Sequence, residues 1–206
     1  MTNRTIDVYT LIKPEINRLR KSNIETANLD CRLLLSKSMN KNKTLYNHET
    51  IEISENEIRT FQNLVQERLS GKPVSRIINK RNFWKNEFKL NEHCLDPRPD
   101  SETLIDAILD EYLDKSKNLK ILDLGSGSGC LGLSLLDEYK NSLASFVDIS
   151  KKSLEIVRIN ALMLGLSKRS KFINLDWKDD DWDIKLIKIE EKSKFDIIIS
   201  NPPYII

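Results

Sequence analysis

The sequence predicts an α/β protein in which an N-terminal helical bundle precedes a domain built on a parallel sheet. Through the first seventy residues, apolar side chains recur at helical spacing. From Leu119 onward, short apolar runs alternate with segments of helical period, which is the pattern of βαβ units. A glycine-rich turn at 125–129 joins the first of these runs to the helical segment after it. Such a turn lets a ligand approach the main chain closely, so we expect the binding site there.

The composition limits the class of protein. Of the 206 residues, 39% are hydrophobic and 31% are charged, which is typical of a soluble globular chain. No stretch approaches the ~20 apolar residues that span a bilayer, and the first residues lack the apolar core of a signal peptide. The three cysteines are widely spaced, which argues against a disulfide framework or a zinc site. We therefore expect a cytoplasmic protein with no membrane partner and no bound metal.

Charge is distributed unevenly along the chain. Residues 1–95 contain 17 Lys and Arg against 11 Asp and Glu, a net charge of +6. Residues 96–206 contain 16 against 20, a net charge of −4. The front half could therefore meet an acidic protein surface or RNA, but a surplus of this size is equally typical of a solvated face.

Two helices are predicted in the first forty residues. Apolar positions spaced for one face of a helix cover 5–21, and Pro14 within that stretch indicates a kink or a restart. The same spacing covers 25–39, with charged residues on the opposite side. The polar run that follows is expected to end this second helix.

A third helix is predicted to complete an N-terminal domain. Ser54 with Glu57 three residues later forms a capping-box pattern ahead of an apolar helical face. Gly71 is expected to end the helix, and Pro73 follows as it commonly does after a helix stop. Residues 1–73 are therefore predicted to form a helical domain.

The pattern then changes within a linker, 74–97. Apolar residues broken by polar pairs, beginning with Ile77-Ile78, predict a short β-hairpin there. Pro97-Arg98-Pro99 forces an extended backbone, after which Asp100 or Ser101 can cap the next helix.

The sheet domain, 98–206, is predicted to alternate strands and helices. Its expected strands cover 119–124, 143–148, 172–176 and 195–200. Ser150 is expected to cap the helix after the second strand, and Gly165 to end it. Residues 178–194 are interpreted as a surface connector or a short amphipathic helix.

The glycine-rich turn fits two kinds of nucleotide cofactor. Residues 127–132 satisfy the G-x-G-x-x-G dinucleotide fingerprint, and Asp148 lies 148 − 127 = 21 residues on, where an acid would bind ribose hydroxyls. The alternative pattern, Asp-x-Gly-x-Gly-x-Gly over 123–129, resembles the first motif of S-adenosylmethionine-dependent methyltransferases. Asp148 suits either cofactor, so the turn alone leaves both open.

The last residues favour the methyltransferase interpretation. An apolar strand leads directly into Asn201-Pro202-Pro203-Tyr204. Two prolines explain only that the strand stops. An Asn and a Tyr at the carboxyl end of a parallel strand lie where ligand crevices form. This motif resembles the signature of methyltransferases that act on planar amide or amino nitrogens, and a nicotinamide enzyme has no use for it.

The ordered set of motifs resembles the peptide chain release factor glutamine N5-methyltransferases over the whole chain. The resemblance rests on these segments: 29–35, 71–74, 82–84, 97–102, 123–129, Asp148, 176–177 and 201–204. It implies a Rossmann-like methyltransferase domain that transfers a methyl group from S-adenosylmethionine to a glutamine side-chain amide. It also implies that the helical domain binds the release factor, with no direct nucleic-acid partner.

The resemblance also implies roles for particular residues. The cofactor-binding residues are Gly125, Ser126, Gly127, Ser128 and Gly129 in the turn, Asp148 for the ribose, Asp176 and Trp177 beside the adenine, and Asn201. The glutamine amide is expected to bind through Asn201, Pro202, Pro203 and Tyr204. Of these, the Asn201 side-chain oxygen and the Pro202 carbonyl would accept hydrogen bonds from the NH₂ group, while Tyr204 packs against the flat amide.

The chain departs from the family at its end. The family's sheet continues for several strands beyond the Asn-Pro-Pro-Tyr motif, whereas this sequence stops at Ile206. We therefore expect a sheet truncated after its fourth strand, which would leave an apolar edge and make activity uncertain. Two alternatives to glutamine methylation stay open, namely N6-methylation of adenine in DNA and an inactive, truncated protein that binds release factor.

Overall fold

The computed structural model describes residues 3–191 and 194–202. The chain divides into two compact units, Met1–Asn79 and Lys80–Ile206. The first is largely helical, and the second contains a four-stranded parallel sheet, so the predicted α/β class is confirmed.

The first unit packs four helices with a small antiparallel ribbon. Its elements are β1 (Arg4–Asp7), α1 (Val8–Lys21), α2 (Ala27–Ser38), β2 (Thr50–Ile53), α3 (Glu55–Leu69) and α4 (Val74–Ile78). β1 pairs with β2, with Arg4 opposite Ile53 and Asp7 opposite Thr50. All four helices contribute apolar side chains to one core, because each helix is apolar on one face only.

The ribbon and the start of α1 were not predicted. The helix expected from residue 5 begins at Val8, because the Asp7 carboxylate accepts a hydrogen bond from the Thr10 amide (2.9 Å) and caps it. The helix does not restart at Pro14, which lies within a continuous α1. Burial of Ile12 and Ile16 on either side of Pro14 offsets the backbone hydrogen bond that proline removes.

The predicted ends of α3 are confirmed. The Ser54 hydroxyl accepts a hydrogen bond from the Glu57 amide, and the Glu57 carboxylate accepts one from the Ser54 amide, which completes a capping box. Beyond the helix, Gly71 has a φ of +94°, a conformation that L side chains rarely adopt.

The hairpin predicted in the linker occupies a shorter stretch than expected. Residues Val74–Ile78 form α4 instead of a strand, because Ile77 is buried in the helical core. Asn79 follows with a φ of +58°. The hairpin itself consists of β3 (Lys80–Phe83) and β4 (Asn86–Lys89), which pair antiparallel.

The second unit is built around a parallel sheet in the order β7-β6-β5-β8. Its remaining elements are α5 (Glu102–Glu111), β5 (Lys120–Leu124), α6 (Cys130–Glu138), β6 (Leu143–Asp148), α7 (Lys151–Met163), β7 (Ser170–Asn174), α8 (Trp182–Ile189) and β8 (Ile197–Ser200). α8 resolves the ambiguity over 178–194 in favour of a short helix. As predicted, Ser150 caps α7: its hydroxyl accepts a hydrogen bond from the Ser153 amide (3.2 Å).

Helices cover both faces of this sheet. Side chains of α5, α6 and α7 pack with Ile121 of β5 and with Ile197 and Ile199 of β8 on one face. Leu122 faces the other side, where Leu186 of α8 packs. This alternation follows from the two-residue period of a strand. β8 pairs with β5, and its Ile198 is 63% exposed.

One predicted helix cap is absent. The chain enters α5 through a turn of 3-10 helix, Pro99–Ser101, and Ser101 itself has helical angles (φ −72°, ψ −14°). An N-cap side chain reaches the first helical amides from an extended backbone, so the Ser101 hydroxyl makes no capping hydrogen bond. In the part of the chain that the structure describes, no helix is both long and apolar enough to cross a membrane.

Candidate active site

The candidate site lies where the strand order of the sheet reverses. β6 and β7 are added on one side of β5, whereas β8 is added on the other. Leu124, the last residue of β5, pairs with Ser200, the last residue of β8. The glycine-rich turn and Asn201 therefore leave the same edge of the sheet side by side. In open α/β sheets, ligands bind at this reversal, outside the carboxyl ends of the strands.

The glycine-rich turn is held against the end of β6. The amides of Gly125 and Ser126 both donate to the Val147 carbonyl (2.8 and 3.0 Å). The Gly127 amide donates to Oδ2 of Asp148 (2.9 Å). These bonds fix the turn without any ligand, so its backbone is prepared in advance for binding.

Three glycines are required by close approach, and at Gly129 an added Cβ would lie 2.6 Å from Val157. At Gly125, whose φ is +68°, an added Cβ would lie 2.8 Å from the Trp177 ring. At Gly132, inside α6, it would lie 2.5 Å from Phe146 and 3.0 Å from Oδ2 of Asp123. Gly125 lets Trp177 lie on the turn, and Gly132 lets α6 pack closely on the sheet.

Asp123 holds the first turn of α6 through a buried hydrogen bond. Its side chain is 2% exposed, and Oδ2 accepts a hydrogen bond from the Gly132 amide (3.0 Å). Burial raises the pKa of this carboxyl to about 7. The Gly132 hydrogen bond opposes the rise in pKa, and the nearby Asp148 carboxylate adds to it.

Asp148 is placed to accept further hydrogen bonds. Its Oδ1 accepts from the Ser150 amide (2.8 Å), while Oδ2 accepts from Gly127. Each carboxylate oxygen has two acceptor positions, so both keep capacity for a ligand hydroxyl. The next residue in the chain, Ile149, is apolar and 64% exposed.

Asp176 and Trp177 follow β7 at the same edge. Trp177 lies on the turn at Gly125, as described above. Asp176 accepts a hydrogen bond from the Lys178 amide (2.9 Å) and borders a shallow cavity with Ile149 and Asn174. The structure therefore places Trp177 against the glycine-rich turn, whereas Asp176 borders a separate cavity.

Asn201 is held by a residue from a distant part of the sequence. Its Nδ2 donates a hydrogen bond to the Ser101 hydroxyl (2.7 Å). The preceding Ser200 donates from Oγ to the Leu124 carbonyl (2.8 Å), which fixes the end of β8. Pro202 follows, whereas Pro203 and Tyr204 lie outside the described residues.

One cavity contains both the turn and Asn201. It is lined by Leu95, Asp96, Pro97, Ser101, Asp123, Gly125, Ser126, Gly127, Ser128, Cys130, Leu131 and Asn201. The Ser126 hydroxyl is buried there and has no hydrogen-bond partner among the described residues. An unpartnered buried hydroxyl in a cavity is available to a polar ligand atom.

Cys130 lines this cavity but is not a nucleophile. Its position at the start of α6 could lower the pKa of the thiol. Burial dominates instead and raises that pKa to about 12. The thiol therefore stays protonated near neutral pH, as expected of a cysteine that packs as a small apolar side chain.

Asn160, whose side chain bonds to both Ser128 and Lys89, was not identified from the sequence. Asn160 is 1% exposed in α7, and its Nδ2 donates to the carbonyls of Ser128 (2.9 Å) and Lys89 (3.0 Å). Its Oδ1 accepts from the Lys89 amide (2.8 Å). It thus links the glycine-rich turn to the segment that leads into Leu95–Pro97. The signal in the sequence is a polar residue one turn after Val157, on the inward face of the helix.

Comparison with known proteins gives a consistent family. The PrmC N-terminal domain matches residues 11–78, and the methyltransferase small domain matches residues 101–205. The release factor glutamine methyltransferase of Leptospira interrogans is 33% identical over 201 residues, which are 96% of this chain and 67% of that protein. The protein of the same name from Bradyrhizobium diazoefficiens is 35% identical over 191 residues, 91% of this chain and 61% of that protein.

A solved structure supports the fold alone. The methyltransferase domain of METTL16 superposes with a TM-score of 0.50 at 17% identity, covering 91% of this chain and 68% of that one. The present chain spans 67% and 61% of the lengths of the two curated relatives described above. Both domain families and these relatives agree with the motifs from which the resemblance was argued. The chain belongs to the release factor glutamine methyltransferase family.

Proposed function

We propose that this protein transfers a methyl group from S-adenosylmethionine to the side-chain amide nitrogen of a glutamine in a peptide chain release factor. The observation that carries the proposal is the cavity shared by the glycine-rich turn and Asn201. It brings a prepared nucleotide-binding turn next to an amide that can hold a planar nitrogen. The relatives named above carry the same activity in their names.

The residues of the site fit S-adenosylmethionine. Asp148 retains acceptor capacity for ribose hydroxyls, and the exposed Ile149 that follows it in the chain offers an apolar surface to a flat base. The unpartnered Ser126 hydroxyl and the start of α6 suit the polar amino-acid end. When bound, the cofactor supplies an electrophilic methyl group on a sulfonium sulfur. Trp177 on the turn is proposed to flank the adenine together with Asp176.

The chemistry that this chain contributes is positioning. A glutamine amide nitrogen is a poor nucleophile, because its lone pair is delocalised into the carbonyl. Hydrogen bonds from its NH₂ group to Oδ1 of Asn201 and to the Pro202 carbonyl would orient the nitrogen and stabilise the positive charge that grows on it. Orientation of this kind supplies up to about 7–11 kcal/mol, so no strong base is needed. Tyr204 is proposed to pack against the flat amide.

The helical unit is proposed to recognise the protein substrate. Residues 1–79 carry 13 Lys and Arg against 9 Asp and Glu, a net charge of +4. A surplus of this size agrees with an acidic protein surface but is equally typical of a solvated face, and it is too small to commit the unit to nucleic acid.

The test is a transfer experiment with two acceptors. The chain is incubated with methyl-labelled S-adenosylmethionine and either a purified release factor or adenine-containing duplex DNA. We expect label in the release factor alone, on one glutamine-containing peptide after digestion. Label in DNA would instead indicate adenine methylation, and no label in either acceptor would refute the proposal for this chain.

Matched asparagine variants localise the activity. Asn201→Ala should abolish most of the transfer while the affinity for the cofactor is less affected, because the Asn201 oxygen is used mainly as charge develops on the amide. Asn141→Ala is the control, since Asn141 is exposed and donates to the Ser116 carbonyl (2.9 Å), away from the cavity. Equal losses in the two variants would contradict the assigned role of Asn201.

A further inference from the structure

We propose that Ser101 is a positioning residue, whose hydroxyl holds the Asn201 amide in the orientation that presents Oδ1 to the substrate. This inference rests on the proposed function. The Ser101 hydroxyl accepts a hydrogen bond from Nδ2 of Asn201 at 2.7 Å, and the two residues line the same cavity. They are 100 residues apart in the sequence, so the folded sheet domain brings them together.

The Ser101 hydroxyl is available because it does not cap α5. A serine at this position ordinarily turns its oxygen back onto the first amides of the helix. Here Ser101 has helical backbone angles, since its own amide closes the preceding turn on the Arg98 carbonyl (3.0 Å). Its side chain, which is 8% exposed, is directed to Asn201 instead.

Both ends of this hydrogen bond are fixed by other contacts. Next to Ser101, the Glu102 carboxylate accepts from the Trp84 amide (2.8 Å), and Ile105 on α5 is fully buried. On the other side, the Ser200 hydroxyl bonds to the Leu124 carbonyl and holds the end of β8. A hydrogen bond between two fixed points restricts rotation of the Asn201 amide.

The orientation matters because the two ends of an amide differ. With Nδ2 on Ser101, Oδ1 points to the opposite side and can accept from a substrate NH₂ group. A rotated Asn201 would present its own NH₂ to the substrate NH₂, so two donors would face each other. An acceptor at that place also stabilises positive charge on the nitrogen as the methyl group is transferred.

Serine variants test this role through kinetics. Ser101→Ala should lower kcat for release-factor methylation by about 5- to 20-fold, the loss expected for one hydrogen bond, with the cofactor Kd changed less than about twofold. Ser101→Thr keeps the hydroxyl and should restore most of the rate. Ser134→Ala is the matched control, because Ser134 is buried in α6 and its hydroxyl has no hydrogen-bond partner among the described residues.

A second measurement is independent of turnover. In the ¹⁵N-labelled free protein, the Asn201 side-chain NH₂ signals are identified by their loss in Asn201→Ala. Ser101→Ala should shift these signals and speed their exchange with water, whereas Ser134→Ala should leave them unchanged. In the Asn201→Ala background, Ser101→Ala should cause no further loss of rate, because the two side chains act as one unit.

The outcomes separate this inference from the proposed function. Unchanged Asn201 signals in Ser101→Ala overturn the inference, and so does a Ser101→Thr variant as slow as Ser101→Ala. If Ser101→Ala alters the Asn201 signals while the wild-type chain methylates no release factor, the Ser101 contact is supported and the proposed function is refuted.

Discussion

The buried carboxyl of Asp123 makes the stability of the sheet domain depend on pH. Burial raises its pKa from 3.8 to about 7 in the folded protein. A group whose folded pKa lies above its unfolded value stabilises the fold fully below the unfolded pKa, and this contribution is lost as pH rises through the folded pKa. The interval between 3.8 and about 7 corresponds to about 4 kcal/mol in total, of which roughly 2–3 kcal/mol is lost between pH 5 and pH 8.

Asp123→Asn removes this pH dependence. The asparagine oxygen can still accept from the Gly132 amide, whereas its new NH₂ group adds a roughly pH-independent cost of about 1–3 kcal/mol if it finds no acceptor. The free energy of unfolding of the variant, relative to that of the wild type, should therefore rise by roughly 2–3 kcal/mol from pH 5 to pH 8. Comparing the two proteins at each pH cancels the titration of other groups.

The assay measures unfolding through the fluorescence of the tryptophans that the chain already contains. All three tryptophans, Trp84, Trp177 and Trp182, belong to the unit that contains Asp123. Urea unfolding followed by tryptophan fluorescence at four pH values therefore reports on that unit. Asp180→Asn, an exposed change, controls for the loss of one negative charge. A stability difference that stays flat or falls with rising pH would refute the reasoning about Asp123.

Three further predictions concern residues that hold the glycine-rich turn and α6 in place. Asp148→Ala should weaken S-adenosylmethionine binding by about 1.5–3 kcal/mol in calorimetry, because charge-assisted hydrogen bonds are lost, and NADH should bind neither protein. Asn160→Ala leaves the Lys89 amide without its partner, so it should lower the free energy of unfolding by about 2–3 kcal/mol and also weaken cofactor binding. Gly132→Ala should cost about 1–3 kcal/mol in urea unfolding, because its methyl group would meet Phe146 at 2.5 Å; a neutral result would disprove the close packing of α6.

Local chemistry explains which parts of the fold could be predicted. The capping box at Ser54 and the stop at Gly71 depend on residues a few positions apart, so their patterns are visible in sequence. The ribbon of β1 and β2 is different, because two four-residue strands are too short to show a period and their pairing joins residues more than forty positions apart. The misassigned Ile77 shows the same limit, since only the helical core decides that it belongs to α4.

The same limit decides which residues of the candidate site could be predicted from the sequence. The turn at 125–129 and Asp148 stand out because glycine and acid spacings encode their joint geometry. Ser101, which contacts Asn201, and Asn160, which contacts Ser128, do not stand out in the sequence. Both come from helices elsewhere in the chain. A serine beside a predicted helix start has an obvious local role in capping, and the structure shows that the local role was wrong.

The pleat of β8 explains why Asn201 meets Ser101 at all. Ile197 and Ile199 face the side of the sheet that α5 covers, whereas Ile198 faces away. With a two-residue period, Asn201 continues the row of Ile197 and Ile199, so its side chain leaves the strand toward the start of α5. Shifting this row by one residue would turn the amide to the opposite face, while the two prolines would still end the strand. The spacing of the buried isoleucines thus directs Asn201 into the cavity, where its Nδ2 meets the Ser101 hydroxyl.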